Sequence, residues 1–318
     1  MEILVTFPDE PQAKNSLIVN KKVGSGKFSV YQVHSPAHKE NFAMKVFPKN
    51  KTGTTQYLKE KLMFKLSHPN IIERIPVSCH KNNFYALLTK FAKHGDFFEL
   101  VTKDILNKEI FVRSYFRQLI EGIEYIHSQG IAHLDLKLDN LMLGEDFKLK
   151  IIDFDQAQLL TDGLISSGGS EGYRAPEVIK GTCKNLAAAD VFSAGIILYA
   201  FKAKEFPFVE AYDPECRDSR CYSTFVKNND HFWQKKAEQK QNKSFFSVNF
   251  IELINSMLHP RPSKRCTIAE IKGSKWYQGP VVDEETLASE MLESLKILRK
   301  LKKKQMSLDH LPKIQIRN

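Results

Sequence analysis

The sequence predicts an α+β protein with two lobes, a small β-rich lobe followed by a larger helical lobe. Residues 17–89 consist of short strand-like runs separated by turns, with one main helical stretch among them. Beyond residue 93, long apolar patterns typical of helices dominate, and the first clear one runs from Ile110 to Ser128. A chain of 318 residues is long enough to give both lobes a buried core.

The composition is that of an ordinary globular protein, with 42% hydrophobic and 26% charged residues. A net charge of +10 is compatible with anionic ligands, acidic partners or an anionic membrane surface, and also with a solvated basic surface. No uncharged apolar run approaches the roughly 18 residues of a membrane span. Residues 1–9 lack the basic flank and the apolar stretch of a signal peptide. We therefore expect no transmembrane segment and a cytoplasmic or nuclear location.

The five cysteines are scattered, and only Cys216 and Cys221 lie close together in sequence. No paired CxxC motif and no neighbouring histidine pair accompanies them, which argues against zinc. Reduced thiols in an intracellular protein fit this pattern best.

The first lobe begins with a strand, a glycine turn and a second strand over Leu17–Val33, after residues 1–16, which form a tail or a short leading strand. Glycines allow a backbone to approach phosphate oxygens closely, but a plain turn has the same pattern. The next strand, Phe42–Phe47, places Lys45 among apolar residues. Because burying an unpaired ammonium is costly, Lys45 needs either an anionic partner or an exit to solvent at a sheet edge.

The main helix of the first lobe is predicted over Tyr57–Leu66, with Leu58, Leu62 and Leu66 on one face, and it ends before Pro69. Two strands, Arg74–Cys79 and Phe84–Thr89, follow it. The boundary between the lobes is expected directly after them.

The helical lobe opens with the helix Ile110–Ser128, which Gly130 terminates. The polar loop His133–Asn140 follows, then the apolar run Leu141–Leu143, and then a second apolar strand that ends in a carboxylate at Asp153. Further helices are predicted over Phe246–Leu258 and Thr267–Ile271, while 204–244 is predicted as a polar connection anchored by Phe232-Trp233.

These motifs, in this order, resemble those of eukaryotic protein kinases of the Ser/Thr type, nearest the calcium/calmodulin-dependent group, over residues 17–277. The resemblance implies a bilobal kinase fold with an N-lobe over 17–89, a hinge over 90–92 and a C-lobe over 93–277. It also implies ATP and Mg²⁺ as cofactors and a protein as the substrate. We expect no specific binding of nucleic acid.

The resemblance implies a nucleotide site between the lobes. In it, Lys45 contacts the phosphates, Glu60 pairs with Lys45, and Thr89 stands before the hinge. The family's usual spacing between this glutamate and the following His-Pro motif, counted back from His68-Pro69, reaches Lys59 rather than Glu60. A surface position for Glu60 therefore stays open. Val30 or Tyr31 covers the adenine, depending on the alignment. The implied ATP-binding set is Val23, Gly24, Ser25, Gly26, Lys27, Phe28, Ser29, Val30, Tyr31, Ala43, Lys45, Glu60, Thr89, Lys90, Ala92, Asp96 and Met142.

The loop and the following turn supply the expected chemistry. Phosphoryl transfer requires positioning and charge neutralisation, so Asp135 would orient the substrate hydroxyl and Lys137 would stabilise the γ-phosphate. Asn140 and Asp153 provide oxygen ligands suited to Mg²⁺. Asp139 and Ser170 would contact the substrate. Asp96 matches an acid that binds ribose or a basic substrate residue, and a helix N-cap is an equally good explanation for it.

Three positions depart from the family pattern. Leu134 stands where an arginine that binds a phosphorylated activation loop is usual, which predicts that phosphorylation of this loop is not the main switch. Asp155 replaces the glycine of Asp-Phe-Gly, and Ser29 replaces a third glycine. These departures keep open a nucleotide-binding pseudokinase that acts as a scaffold.

Other parts of the C-lobe are predicted from the same resemblance. Residues 156–169, with Thr161, Ser166 and Ser167, are expected to form the activation loop. Glu177 is expected to form a buried ion pair with Arg265, and Asp190 to hold the backbone of the catalytic loop. His133 is expected to be structural.

The tail, residues 278–318, contains a basic amphipathic helical pattern with Leu287, Met291, Leu295 and Leu298 on one face. Such a helix suits a calmodulin-like or other acidic partner, a membrane surface or the kinase's own cleft, and a lobe-docked helix has the same pattern.

Overall fold

A seven-stranded antiparallel sheet forms the N-lobe, and a helical C-lobe follows it, so the predicted bilobal α+β architecture is confirmed. The computed structural model describes residues 2–7, 10, 12–75, 77–79, 83–163, 168–212 and 221–309. The strand order of the sheet is β5-β7-β4-β3-β2-β1-β6. Its strands are β1 Glu2–Thr6, β2 Asn15–Ser25, β3 Ser29–Ser35, β4 Glu40–Pro48, β5 Arg74–Ile75, β6 Ser78–Cys79 and β7 Phe84–Lys90.

Strand β1 belongs to this sheet, because it pairs with both β2 and β6. Ile3 and Val5 alternate inward and are at most 3% exposed, as expected of a strand with one buried face. Residues 2–6 therefore form the short leading strand rather than a tail separate from the lobe. The predicted strand Arg74–Cys79 is split into β5 and β6, which pair at opposite ends of the sheet.

Helix α1, Lys51–Lys61, continues as one 3₁₀ turn over Leu62–Lys65. It begins six residues before the predicted start. Of its predicted apolar face, Leu66 is buried as expected, Leu58 is not, and the side chain of Leu62 is outside the described set. Leu58 is 53% exposed, whereas Gln56 and Glu60 are buried. The buried face is polar because it meets charged and carbonyl groups of the cleft rather than an apolar core.

The C-lobe is built around one large apolar cluster. Its helices are α2 Phe97–Thr102, α3 Glu109–Ser128, α4 Pro176–Ile179, α5 Leu186–Ala203, α6 Tyr222–Lys227, α7 Asn229–Gln239, α8 Val248–Met257, α9 Ile268–Gly273 and α10 Glu284–Asp309. Helices α6 and α7 correct the predicted polar connection over 204–244, although Phe232 and Trp233 are buried as expected. Residues 213–220 of that connection lie outside the described residues.

Two small antiparallel pairs lie at the top of the C-lobe. They join β8 Ile131–Ala132 to β11 Gln158–Leu159, and β9 Leu141–Leu143 to β10 Leu149–Ile151. The catalytic loop leaves β8, and the Asp153 turn leaves β10. Both polar segments therefore emerge at the same edge, facing the N-lobe. Of the predicted activation loop, Ser166 and Ser167 lie outside the described residues.

Helix α5 is apolar on all sides and forms the centre of the C-lobe. It is long and apolar enough to cross a membrane, but 89% of it is buried inside the protein. A core helix of a globular domain has this character, so the helix is weak support for a membrane span.

The tail helix α10 lies against the C-lobe. Leu287, Met291, Leu295 and Leu298 are at most 8% exposed and join the main apolar cluster. Lys108 and Lys148 form ion pairs with Glu290 and Glu284 of α10 at 3.1 and 2.7 Å. The lobe-docked alternative therefore describes this helix up to residue 300.

The cysteines differ in part from the expectation of reduced thiols. Cys79, Cys183 and Cys266 are free, whereas Cys221 is disulfide-bonded. Cys216 lies outside the described residues.

Candidate active site

The catalytic loop is anchored to the C-lobe core by Asp190 of α5. Its Oδ2 accepts the backbone N–H of His133 at 2.8 Å, and its Oδ1 accepts that of Leu134, also at 2.8 Å. Asp190 is 1% exposed. Leu134 has a φ of 64°, a left-handed conformation that costs energy for a leucine, so these bonds fix a strained loop. Asp190 therefore has the predicted scaffold geometry.

Asp135, Lys137 and Ser170 form a closed hydrogen-bonded triangle. Lys137 Nζ donates to Asp135 Oδ2 at 2.9 Å and to Ser170 Oγ at 2.7 Å. The Ser170 hydroxyl in turn donates to Asp135 Oδ1 at 2.8 Å. Asp135 is thus placed where a hydroxyl can donate to it, with an ammonium beside it that can neutralise charge.

The Asn140 side chain binds Asp135 inside the catalytic loop. Its Nδ2 donates to the backbone carbonyl and to Oδ2 of Asp135, at 2.8 and 3.0 Å. Because both of these bonds use the amide nitrogen, the amide oxygen remains available as an acceptor. Asn140 is 4% exposed.

Lys45 bridges the lobes by binding Glu60 of α1 and Asp153 of the turn, each with an N–O distance of 2.6 Å. This confirms the expected pairing of Lys45 with Glu60. It removes both alternatives, a surface position for Glu60 and an exit of Lys45 to solvent.

The pKa values in this group follow from burial and from the pairing. Burial alone would lower the pKa of Lys45, but the two adjacent carboxylates outweigh it and raise that pKa above its ordinary value. Burial raises the pKa of Glu60, and Lys45 only partly offsets this. Burial would also raise the pKa of Asp153, yet the ammonium of Lys45 lowers it below its usual range. The two salt bridges thus favour the charged forms of Lys45 and Asp153, whereas burial outweighs the pairing at Glu60.

Asn140 and Asp153 fit a hard divalent cation. Both line the cleft, and each retains an oxygen that does not take part in the bonds described above. One neutral and one charged oxygen ligand suit Mg²⁺, which keeps several waters of its own.

A cavity of about 900 Å³ lies between the lobes and brings most of the predicted nucleotide site together. The predicted residues that line it are Val23, Gly24, Gly26, Lys27, Phe28, Val30, Ala43, Lys45, Glu60, Thr89, Lys90, Ala92, Asp96, Met142, Lys137, Asp139, Asn140, Asp153 and Ser170. Of the two candidates for covering the adenine, Val30 lines the cavity, whereas Tyr31 packs against the apolar cluster of the N-lobe. Ser29 does not line the cavity, and the side chain of Ser25 is outside the described set.

Two other predicted residues have structural contacts. Asp96 caps α2, with Oδ1 accepting the N–H of Glu99 at 2.8 Å, so the N-cap explanation is confirmed. It also lines the cavity, and its binding of ribose or a basic substrate residue stays a prediction. His133 is fully buried and packs on Phe154 at 4.7 Å between ring centroids, as expected of a structural histidine. Glu177 and Arg265 form the predicted buried ion pair at 2.7 Å.

Arg74 is the most unusual cavity residue that sequence reasoning missed. It is 8% exposed, and its guanidinium lies 4.2 Å from the centre of the Phe154 ring. Its Nη1 is buried without a hydrogen-bond partner among the described residues. Burial lowers the pKa of Arg74 to about 10. The signal in the sequence was that Arg74 is a charged residue at the start of a short strand, β5, and that this strand pairs next to the hinge. Phe91 of the predicted hinge also lines the cavity, and the other missed lining residues are Ile72, Leu87, Lys93, Gly95, Ile152, Asp155, Glu171 and Tyr173.

A two-lobed domain with a nucleotide-sized cleft, a lysine–glutamate bridge and a paired Asp–Lys loop has the architecture of a protein kinase. The chain matches the protein kinase domain family over residues 17–277, and it belongs to that family.

Among its relatives are three plant proteins. It is 33% identical over 280 residues to CBL-interacting protein kinase 11 of Oryza sativa subsp. japonica, covering 83% of this chain and 51% of that protein. It is 32% identical over 268 residues to CBL-interacting serine/threonine-protein kinase 8 of Arabidopsis thaliana, covering 81% and 57%. With kinase 12 of the same plant the identity is 28% over 322 residues, covering 91% and 62%. The chain thus spans about half to three fifths of the length of these relatives.

Proposed function

We propose that this chain catalyses the ATP-dependent phosphorylation of serine and threonine hydroxyls on proteins. The observation that carries the proposal is the connected set of side chains at the cleft: the Asp135–Lys137–Ser170 triangle beside the bridge from Glu60 through Lys45 to Asp153. These are the groups that position a hydroxyl and neutralise phosphate charge.

In this proposal the residues divide the work of phosphoryl transfer. Asp135 orients the acceptor hydroxyl, in the way that it now accepts the Ser170 hydroxyl. Lys137 stands beside Asp135 to neutralise charge that develops on the transferred group, and Lys45 holds the phosphates from the N-lobe. Asn140 and Asp153 would hold Mg²⁺, which when bound neutralises phosphate oxygens.

We further propose that the preferred targets lie near basic residues. Asp139 is exposed next to the catalytic loop, and Asp96 faces the same cavity. Burial raises the pKa of Asp96, so a cationic substrate side chain would favour its charged form.

The Lys137–Ser170 pair supports Ser/Thr rather than Tyr targets. A cytoplasmic or nuclear location belongs to the same proposal.

The tail partner also remains a proposal. A calmodulin-like partner would have to compete with the C-lobe for the apolar face of α10, because Leu287, Met291 and Leu295 are buried there. An acidic partner that uses only the basic end of α10, from Arg299 onwards, needs no such displacement.

The decisive experiment is a kinase assay of the purified chain with Mg-ATP on a peptide array of varied charge, with and without calcium–calmodulin. We expect turnover on Ser and Thr peptides enriched in Arg or Lys, and a fall of about 10²–10⁴-fold in Asp135→Asn. Lys45→Met is the second control.

The competing function is a pseudokinase scaffold, which Leu134 and Asp155 favour because both depart from the family pattern. A chain that binds nucleotide but shows no turnover, and whose nucleotide binding is unchanged in Asp135→Asn, would establish the pseudokinase instead. Turnover without enrichment of basic residues would remove only the substrate preference.

A further inference from the structure

Helix α1 directs three polar side chains at the cleft from one face. Gln56, Lys59 and Glu60 are spaced i, i+3 and i+4, which places them together on a helix. Gln56 is 8% and Glu60 3% exposed. Glu60 binds Lys45, but the roles of the other two follow from different contacts.

Gln56 and Lys59 both bind the backbone carbonyl of Asp155. The Gln56 Nε2 donates to this oxygen at 2.8 Å, and the Lys59 Nζ donates to it at 3.0 Å. A carbonyl oxygen has two lone pairs, so it satisfies both donors at once. The two donors therefore form a clamp, defined by Gln56, Lys59 and the Asp155 carbonyl, that joins α1 to the main chain two residues beyond Asp153.

The turn that this clamp holds is strained. Asp153 has a φ of 60°, a left-handed conformation that L-residues other than glycine adopt at a cost. Such a conformation persists only where its surroundings enforce it. Lys45 holds the Asp153 side chain, and the clamp holds the backbone on the other side of Phe154.

We propose that Gln56 and Lys59 are positioning residues, which keep the Asp153 carboxylate in its catalytic place by fixing the Asp155 carbonyl. This inference rests on the proposed kinase activity. It gives α1 two independent connections to the turn, one through Glu60 and Lys45 and one through the clamp.

The charges around the clamp support it. Lys59 is partly buried; burial lowers its pKa, and the carboxylates of Asp155 and Asp162 oppose this. These carboxylates offset the burial of Lys59 only in part, so its hydrogen bond to the Asp155 carbonyl supplies the remaining contact. Leu134 offers no cation to a phosphorylated loop, so the clamp supplies from α1 a restraint on the turn that requires no phosphate.

The test compares Gln56→Leu, Lys59→Met and the double variant with wild type. We expect kcat to fall about tenfold in each single variant and about 30–100-fold in the double variant, as expected for one or two lost hydrogen bonds to a catalytic turn. The KM values for peptide and ATP should change less than about twofold, because the groups that bind them are untouched. Lys59→Arg keeps a donor and should recover most of the activity.

Lys61→Met is the matched control, because it removes an exposed lysine from the same helix. It should have the wild-type kcat. Amide hydrogen exchange provides a readout that does not depend on turnover. In the double variant, exchange should speed up over residues 153–158 while the core helices α3 and α5 stay protected.

The outcomes separate this inference from the proposed function. An inactive wild type in which the double variant still speeds exchange of the turn contradicts the kinase activity but not the clamp. An active wild type whose double variant keeps both its kcat and its exchange rates overturns the clamp. A loss of activity accompanied by rising KM values and general loss of protection would assign Gln56 and Lys59 a merely structural role.

Discussion

The catalytic loop and the Asp153 turn are neighbours, yet opposite lobes hold them. The loop is fixed from below, where Asp190 of the C-lobe core accepts the N–H groups of His133 and Leu134. The turn is fixed from above, where Lys45 binds the Asp153 carboxylate and α1 binds the Asp155 carbonyl.

His133 and Asn140 both connect the two segments directly, and the Asn140 carbonyl accepts the N–H of Ile152 at 3.0 Å. The His133 Nε2–H donates to the carbonyl of Ile152 at 2.9 Å, and the His133 ring packs on Phe154. These contacts align the loop and the turn without fixing either of them to the N-lobe.

The difference determines how each segment responds to change. The catalytic loop stays in place as long as the C-lobe is folded, because its anchor lies in a core helix that is 89% buried. The turn depends on the position of α1, a helix whose buried face is polar and whose stability depends on its contacts with the cleft. Regulation of such a domain is therefore easier through α1 and the turn than through the loop.

The strongest test of this contrast is Asp190→Ala. It leaves the N–H groups of His133 and Leu134 buried and unpaired beside a strained backbone, so we expect a loss of about 3–5 kcal/mol in the free energy of unfolding. Urea unfolding measures the loss, with the exposed Asp230→Ala as the control. A loss below about 1 kcal/mol would mean that the loop does not depend on the core.

Arg74→Met should change the free energy of unfolding in the opposite direction, because Arg74 lies against Phe154 of the Asp153 turn rather than under the catalytic loop. Burial lowers the pKa of Arg74 to about 10, so its surroundings disfavour the guanidinium even though it stacks on Phe154. Met removes the attraction of Arg74 to Glu60 and Asp153, but it also removes the desolvated charge and the unpaired Nη1. Because an unsatisfied buried polar group costs about 1–3 kcal/mol, we expect a gain of that size. The same urea titration tests this, with the exposed Arg261→Met as the control. A destabilised Arg74→Met would show instead that the stack on Phe154 outweighs the desolvation of the charge.

Much of the chemistry was predictable from the sequence because its motifs are local. Asp135, Lys137 and Asn140 lie within one eight-residue loop and Asp153 ends a short apolar strand, so the resemblance to kinase motifs could be read from contiguous residues. The pairing of Lys45 with Glu60 followed from the same resemblance, which implies an acid on this helix, and Glu60 is the acid nearest to the expected position.

The rest was not predictable, because it depends on contacts distant in sequence. The bonds of Gln56 and Lys59 to Asp155 span 99 and 96 residues, and no local pattern indicates them. For the same reason the apolar face predicted for α1 was wrong at Leu58, although Leu66 is buried as expected. A rule that places leucines inward fails for a helix whose inner side meets the charged groups of a site, and Leu58 consequently lies outside.

Asp155→Gly separates the side chain of the turn from its backbone. The clamp uses the carbonyl of Asp155, which glycine retains, and Asp155 has no positive φ that would demand a glycine. We expect kcat to change less than about threefold, because the clamp keeps both hydrogen bonds and loses only the attraction of the Asp155 carboxylate for Lys59. Steady-state kinetics on the array peptide measure it, with Asp155→Asn as the control that keeps the side-chain volume. A fall of more than about tenfold would mean that the carboxylate itself acts in the cleft.

The smallest expected effect is that of removing phosphate from the activation loop. Leu134 places an apolar side chain, partly buried against the C-lobe core, where it cannot bind a phosphate. The turn is already held by three side chains of the N-lobe, which are Lys45, Gln56 and Lys59. Phosphatase treatment should therefore change kcat by less than about twofold, because no charge-assisted bonds are lost with the phosphate. Intact-mass spectrometry verifies the removal, and Thr161→Ala tests the same point genetically. A large loss of activity on dephosphorylation would mean that a cation elsewhere binds the phosphorylated loop, and the turn would then depend on the C-lobe after all.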